Sequence, residues 1–326
     1  MIVEEAMLEK KETIAAFFEG YSGDVRLNER LAPYTSLKIG GRALAMVFPE
    51  SVAAVADLVK RMNHAAIPFF VMGAGSNLLV DDDGIDAVVI QLERLHAGIL
   101  TGHETFYAEA GLSYPKLSIY AEKQGLSGLE FAAGIPGTVG GAVAMNAGIP
   151  GEDTASVLRG ITLISPEGEI LARPKEAISF SYRSANLPEG SIVVAAEFRL
   201  QSAEPKGIER KRVRLLKRRK ETQPLSYPNA GSIFKNPTPR FPEETPTSAG
   251  ALIEAVGLKG YTVGGAQISE RHGNFMINLG EATSSDLLAL IRLAKERVLL
   301  EKGVKLETEI KLIGEFLSCQ WRPKKK

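Results

Sequence analysis

Two glycine-rich stretches carry the residue types from which an anion site is built. The longer, Phe131 to Gly148, reads Phe-Ala-Ala-Gly-Ile-Pro-Gly-Thr-Val-Gly-Gly-Ala-Val-Ala-Met-Asn-Ala-Gly, with five glycines, one proline and no charged side chain. Glycine admits positive φ and lacks the Cβ that would hold a ligand away, so consecutive N–H groups of such a run converge on an anion. A diphosphate is the natural guest. The second stretch follows the apolar run Phe69-Phe70-Val71-Met72 and reads Gly73-Ala74-Gly75-Ser76-Asn77-Leu78-Leu79-Val80. An apolar run ending in Gly-x-Gly-Ser-Asn reads as a buried strand that enters a phosphate-cradling turn. Two cradles in one chain imply one large ligand. The dinucleotide fingerprint Gly-x-Gly-x-x-Gly is incomplete, because Leu78 stands where the third glycine belongs and no helical pattern follows, so an ordinary Rossmann NAD site is disfavoured.

Other chemistries find less support. Lys plus Arg and Asp plus Glu number 39 each, so the chain has no overall bias toward nucleic acid or membrane, and an anion site must be local. Cys319 is the single cysteine, which excludes an intrachain disulfide or a thiolate metal cluster and fits a reducing cytoplasm. His64, His96, His103 and His272 are scattered without metal-ligand spacing, so no metal is expected. Asp81-Asp82-Asp83 runs into Gly84 and reads as a solvated turn. No signal-peptide core opens the chain and no apolar run approaches ~18 residues, so neither secretion nor membrane spanning is expected.

The elements that would position the cradles follow from periodicity. The 326 residues predict two or three domains with a sizeable core. Residues 1–30 read as a helical lead-in whose apolar face is Ile14, Phe17 and Phe18. Ala43 to Phe48 reads as a strand, and Ser51 caps a helix with Val52, Val55, Leu58, Val59 and Met62 at helical spacing. Val88-Val89-Ile90 and Phe106 to Ala110 are further strands, with a helix over 115–123. Ile161 to Leu171 alternates about Pro166-Glu167-Gly168, a hairpin signature, and Ile192 to Leu200 closes the region. From 206 to 220 nine of fifteen residues are Lys or Arg. Without an aromatic stacking platform, and with Val213, Leu215 and Leu216 as an inner stripe, this helix reads as a solvated face joining two domains and not as a nucleic-acid contact. A helix near 251–256, a strand at Phe275 to Leu279, a helix over 285–302 and a strand at Glu309 to Ile313 complete the third unit.

Several segments together resemble one family. Gly73 to Leu79, Gly134-Ile135-Pro136-Gly137-Thr138-Val139-Gly140-Gly141, Ser181-Tyr182-Arg183, Asn229-Ala230-Gly231-Ser232-Ile233-Phe234-Lys235-Asn236-Pro237 and Leu306-Glu307-Thr308-Glu309-Ile310 are similar, in order, to the UDP-N-acetylenolpyruvoylglucosamine reductases, flavoenzymes of bacterial peptidoglycan precursor synthesis. The resemblance spans roughly residues 30–316. It implies an α+β fold: a two-lobed FAD-binding unit of the vanillyl-alcohol-oxidase type, followed by a separate α+β substrate-binding domain. The corresponding divisions are 1–95 with the lead-in, 96–205 and 206–317, with a disordered tail at 318–326. No inserted tyrosine loop lies between Arg183 and the basic helix, which resembles the shorter subclass. The segment 238–247, with prolines at 239, 242 and 246, reads as a lid or spacer.

The resemblance also implies chemistry. FAD is held by Gly73, Ala74, Gly75, Ser76, Asn77 and Leu78 and by Gly134, Ile135, Pro136, Gly137, Thr138, Gly140, Gly141, Ala142 and Asn146; with no His or Cys in either cradle, it is held noncovalently. NADPH delivers hydride to the flavin and thence to the terminal carbon of enolpyruvyl-UDP-N-acetylglucosamine. Arg183 and Glu309 match the residues at the substrate carboxylate and Ser232 the proton donor, while Tyr182, Lys235 and Asn236 are candidates for contacts to the diphosphate and uridine. A cytoplasmic monomer acting on this small-molecule substrate is the expected form. The alternative is an FAD oxidase of the same fold, which would have no use for the Ser232 turn or Glu309.

Overall fold

The computed structural model of the chain describes residues 2–238 and 247–314, and only the backbone of residues 2–9. The 318–326 tail, and the proline-bearing segment apart from its end residues, lie outside the described residues.

Burial on both faces dictates the first sheet. Ala43–Phe48 is buried at every position. It lies beside Ile85–Gln91 in the order Asp24–Leu27, Ala43–Phe48, Ile85–Gln91, Phe69–Met72. The Asp24–Leu27 pairing is antiparallel and the others parallel. Parallel strands need a crossover, and helix Val52–His64 runs between Ala43–Phe48 and Phe69–Met72. Ser51 Oγ accepts from the Ala54 amide at its start, while Val55, Leu58, Val59 and Met62 are fully buried. The lead-in helix ends at Phe17, so the predicted helical stretch gives way at Asp24–Leu27 to an edge strand. That strand is only four residues long, too short for its period to be read.

The second sheet is wholly antiparallel, in the order Ile170–Pro174, Leu158–Ile164, Ile192–Arg199, Thr105–Glu109, Gly98–Leu100. Helix Tyr114–Lys123 and the short helix Val139–Ala144 share its core through Leu117, Val139 and Val143. Tyr114 is completely buried, with its hydroxyl 2.9 Å from Thr154 Oγ1.

The basic helix Pro205–Thr222 packs on this second unit. Ile208 is buried, Leu215 joins the second core, and Arg212 is paired with Glu122. Lys211 reaches Glu152 and, at 3.3 Å, Glu130, whose side chain is 1% exposed. Burial alone would raise the Glu130 carboxyl, but the Ser127 hydroxyl, the Gly128 amide and Lys211 outweigh it and hold it below the ordinary carboxylate range. Two of the basic residues, Lys211 and Arg212, are therefore tertiary partners of acids on the second unit.

The third unit is an antiparallel sheet in the order Asn229–Ser232, Phe275–Asn278, Ala266–Ile268, Thr262–Val263, packed with helices Ala249–Ala255 and Ser284–Lys302. A capping box between Thr283 and Asp286 starts the longer helix and Gly303, left-handed at φ 65, ends it. This unit is bonded directly to the first. Strand Lys311–Ile313 runs parallel to Leu78–Val80, and Asn278 Nδ2 donates to Leu37 O at 2.9 Å. Asp82 Oδ2 accepts from the Ser284 amide and hydroxyl at 2.7 and 2.8 Å. The aspartate turn thus docks the start of the long helix as well as facing water.

Candidate active site

Where the three units meet, a cleft of about 560 Å³ opens, and both glycine stretches line it. The first is the turn leaving strand Phe69–Met72; the second runs from Gly134 into helix Val139–Ala144. They interlock: Ser76 Oγ donates to Pro136 O at 3.1 Å, and a Cβ on Gly73 would collide with Thr138 Oγ1.

The glycines serve two different purposes. A Cβ on Gly75, at φ +59, would collide with the Tyr34 carbonyl oxygen, and one on Gly140 would lie 2.8 Å from Ala110 Cβ. These positions are glycine because protein packs against them. At Gly134 and Gly141 the nearest protein atoms would be 3.6 and 3.7 Å from a Cβ. Both residues line the cleft, so the space they leave is space for a ligand.

Both cradles present backbone amides without protein acceptors. Among the described residues, the backbone amides of Ala74, Gly75, Ser76 and Asn77 reach no protein acceptor. Four such amides in one turn facing a cleft form a nest for phosphate oxygens. In the second cradle the amides of Val139 and Gly140 donate to Leu112 O and Ala110 O at 2.9 Å, whereas, among the described residues, those of Gly137, Thr138 and Gly141 reach no protein acceptor. The lining contains neither His nor Cys, so it offers no residue for a histidyl or cysteinyl flavin linkage.

At the other side stand the side chains singled out for chemistry. Ser181–Ser184 is a tight hairpin turn, and Arg183 at its corner has φ 58. Its Nε donates to Glu309 Oε1 at 2.8 Å, with the two side chains only 22% and 14% exposed. Burial pushes the Glu309 carboxyl above its ordinary value, and Arg183 offsets this only in part. Ser232 ends strand Asn229–Ser232 just after a register shift, with Gly231 at φ 75 and its amide bonded to Asn229 Oδ1 at 3.1 Å. Arg183, Glu309 and Ser232 all line the cleft.

Four of the residues proposed from sequence do not line it. Asn146 is 3% exposed, with its amide engaged by Ser181, Asp153 and Ala155. Tyr182 is 53% exposed, its ring 5.2 Å beneath the Arg183 guanidinium. Lys235 Nζ lies 4.0 Å from Glu307, and Asn236 Oδ1 accepts from the Ala249 amide. In turn, the cleft includes Arg219, Gln223 and Lys311, which sequence reasoning did not single out. Arg219 hydrogen-bonds Gly134 O and, at 2.8 Å, Gln223 Oε1. Lys311 follows Glu309 by two residues, the period that returns a side chain to the same face of an extended chain.

Comparison with known proteins places this geometry. Residues 43–172 match an FAD binding domain, and residues 223–313 match the C-terminal domain of UDP-N-acetylenolpyruvoylglucosamine reductase. The UDP-N-acetylenolpyruvoylglucosamine reductase of Halalkalibacterium halodurans is 40% identical over 90% of this chain and 95% of its own. The chain belongs to the UDP-N-acetylenolpyruvoylglucosamine reductase family. The enzyme of that name from Chloroherpeton thalassium is 41% identical over 93% of this chain and 97% of its own. The crystal structure of the Thermus caldophilus reductase superimposes with a TM-score of 0.75 at 36% identity, covering 89% of this chain and 98% of that one. This reductase is accordingly an FAD-containing oxidoreductase of α+β fold, and the paired cradles fit that cofactor. The amides of the first cradle suit its diphosphate, and the spaces at Gly134 and Gly141 admit its bulk.

The two classes of glycine separate in a test. Gly75→Ala should lower stability by about 1–3 kcal/mol, since it combines positive φ with a collision, and should release flavin. Gly141→Ala should leave the melting temperature nearly unchanged yet weaken flavin retention about tenfold. The ratio of visible to ultraviolet absorbance after gel filtration, beside a thermal melt, reads both. Equal behaviour of the two variants would contradict the division.

Proposed function

We propose that this reductase uses Arg183, Glu309 and Ser232 to convert the enolpyruvyl ether of UDP-N-acetylglucosamine into UDP-N-acetylmuramate. The observation that carries the reading is the 2.8 Å Arg183–Glu309 contact, held in one cleft with Ser232 and both cradles. When bound, FAD supplies the hydride, which it takes from NADPH. Hydride addition to the terminal carbon of the enolpyruvyl group drives negative charge onto the neighbouring carbon and its carboxylate. Donors fixed in advance where this charge develops are what lower the barrier.

Arg183 is suited to the carboxylate because its planar fork can give two parallel hydrogen bonds even while Nε is held by Glu309. Glu309, biased by burial toward its protonated form, donates a hydrogen bond as the charge builds. Ser232 hands its hydroxyl proton to the carbon. Its weak acidity is no obstacle, since the acceptor is a strong carbon base and position governs the transfer. Tyr182, Lys235 and Asn236 meet the diphosphate and uridine beyond the lined cleft, and the cytoplasm of a cell building peptidoglycan is where the substrate is found.

Anaerobic visible spectroscopy tests the whole reading. The flavin band should bleach with NADPH and return on adding enolpyruvyl-UDP-N-acetylglucosamine. Return with oxygen alone would favour an oxidase.

The protonation of Glu309 has its own signature. Its folded pKa is raised above the unfolded value, so its contribution to stability is fully present below the ordinary carboxylate pKa and is lost as pH rises through the raised value. Glu309→Gln cannot ionise. As pH rises from the ordinary carboxylate pKa through the raised value, the stability of the variant should therefore improve relative to wild type in urea unfolding. A difference that is flat, or of opposite slope, would show that the fold does not raise the Glu309 pKa.

A further inference from the structure

Each glycine cradle carries one asparagine whose side-chain amide bonds the backbone of a segment that bears a reacting residue. Asn146 follows helix Val139–Ala144 at φ 41, a left-handed conformation that asparagine tolerates better than most residues. Its Nδ2 donates to Ser181 O and to Asp153 Oδ2, both at 3.1 Å, while Oδ1 accepts from the Ala155 amide at 3.0 Å. Ser181 is the residue that opens the tight turn bearing Arg183. In the other cradle, Asn77 Nδ2 donates to Glu309 O at 3.1 Å, and Asn77 O accepts from the Lys311 amide at 3.0 Å. The Glu309 amide in turn donates to Ile233 O at 2.8 Å, next to Ser232.

We propose that Asn146 and Asn77 are positioning residues: each ties one member of the Arg183–Glu309 pair to one wall of the flavin cleft, so that the carboxylate-binding pair is registered against the cofactor. The inference rests on the function proposed for that pair. The 2.8 Å Arg183–Glu309 contact joins segments that both end on cradle asparagines, and this closes a loop of fixed links around the cleft. Asn146 satisfies three polar groups at once, and no other side chain reaches Ser181 O among the described residues. Arg183 at φ 58 gains nothing from its own backbone preference, so its turn needs such a restraint from outside.

The test is a double-mutant cycle on the flavin-loaded enzyme, followed in its two half-reactions. Asn146→Asp keeps the size and the acceptor for the Ala155 amide but sets a carboxylate against Ser181 O and the Asp153 carboxylate. Alone it should slow reoxidation of reduced flavin by the enolpyruvyl substrate about tenfold or more, with flavin reduction by NADPH within about twofold. In an Arg183→Lys background it should cause no further slowing, because its effect passes through Arg183. In flavin-free protein, hydrogen exchange over 182–186 should quicken in Asn146→Asp and stay unchanged in Asn77→Ser. Losses that multiply in the double variant, or an equal fall in both half-reactions, would overturn the proposal. If Asn146→Asp does not fold, Asn77→Ser carries the same claim in a Glu309→Gln background, where its slowing should vanish. An Arg183→Lys enzyme of normal substrate turnover would instead defeat the function assigned to the pair, and this inference with it. Normal turnover in Asn146→Asp beside a crippled Arg183→Lys defeats the inference alone.

Discussion

In a Ser232→Ala enzyme, flavin reduction by NADPH should remain within about twofold of wild type, while transfer to the enolpyruvyl substrate falls by about 10²–10⁴-fold, the range of a lost general acid. The selectivity follows from where the hydroxyl sits. Ser232 lines the cleft at the end of a strand whose register slips just before it. The slip is held by Asn229, whose Oδ1 accepts from the Gly231 amide and whose Nδ2 donates to Tyr227 O at 2.8 Å. Removing one oxygen leaves this turn and both cradles intact. Stopped-flow measurement of the two half-reactions separates the outcomes, and an equal loss in both would remove Ser232 from the role of proton donor.

Arg183→Lys should cost about 10²–10³-fold in the same substrate half-reaction, comparable to losing one preorganised donor at a developing anion. Lysine keeps the charge but replaces a planar fork by a point, so it cannot hold Glu309 and a carboxylate in one plane. A companion variant distinguishes strain from chemistry. Arg183 occupies φ 58, where a side chain costs roughly 1–2 kcal/mol and glycine costs nothing. Arg183→Gly relieves this strain but forfeits the Glu309 contact, so its thermal stability should stay near that of wild type while substrate turnover is lost. A variant both inactive and strongly destabilised would indicate that the arginine mainly supports the fold.

The cradles could be read along the chain because their signals are local: a glycine turn after an apolar strand declares itself within a few residues. Arg183, Ser232 and Glu309 are reached only through the resemblance, since an arginine in a Ser-Tyr-Arg segment, a serine in an Asn-Ala-Gly-Ser turn and a glutamate in an extended segment each look ordinary alone. What could not be read depends on partners far away. Asp82 resembled any solvated Asp-Gly turn, because Ser284, its partner, stands 202 positions on. The basic helix invited a nucleic-acid reading because Glu122, Glu130 and Glu152, the acids that face it, belong to the second unit. Asn146 shared the character of its glycine-rich surroundings, and only the fold reveals that its amide points toward Ser181 and not into the cleft. Arg219 was hidden among eight other cations, distinguished from them only by the direction in which it leaves the helix.

The pairing of Lys311–Ile313 with Leu78–Val80 bears on how the protein is made. The first cradle is encoded early, yet Asn77 acquires its partner at Glu309 only 232 residues later. A chain emerging from the ribosome can form the first sheet and fold helix Val52–His64 against it, but it cannot finish the strand that leaves the cradle until nearly all of the third unit has been synthesised. Contacts of such sequence separation form late and slowly. Completion of the strand that leaves the first cradle therefore waits on the third unit, and a nascent chain stalled before Lys311 would leave Leu78–Val80 as an unpaired apolar edge open to association with other chains.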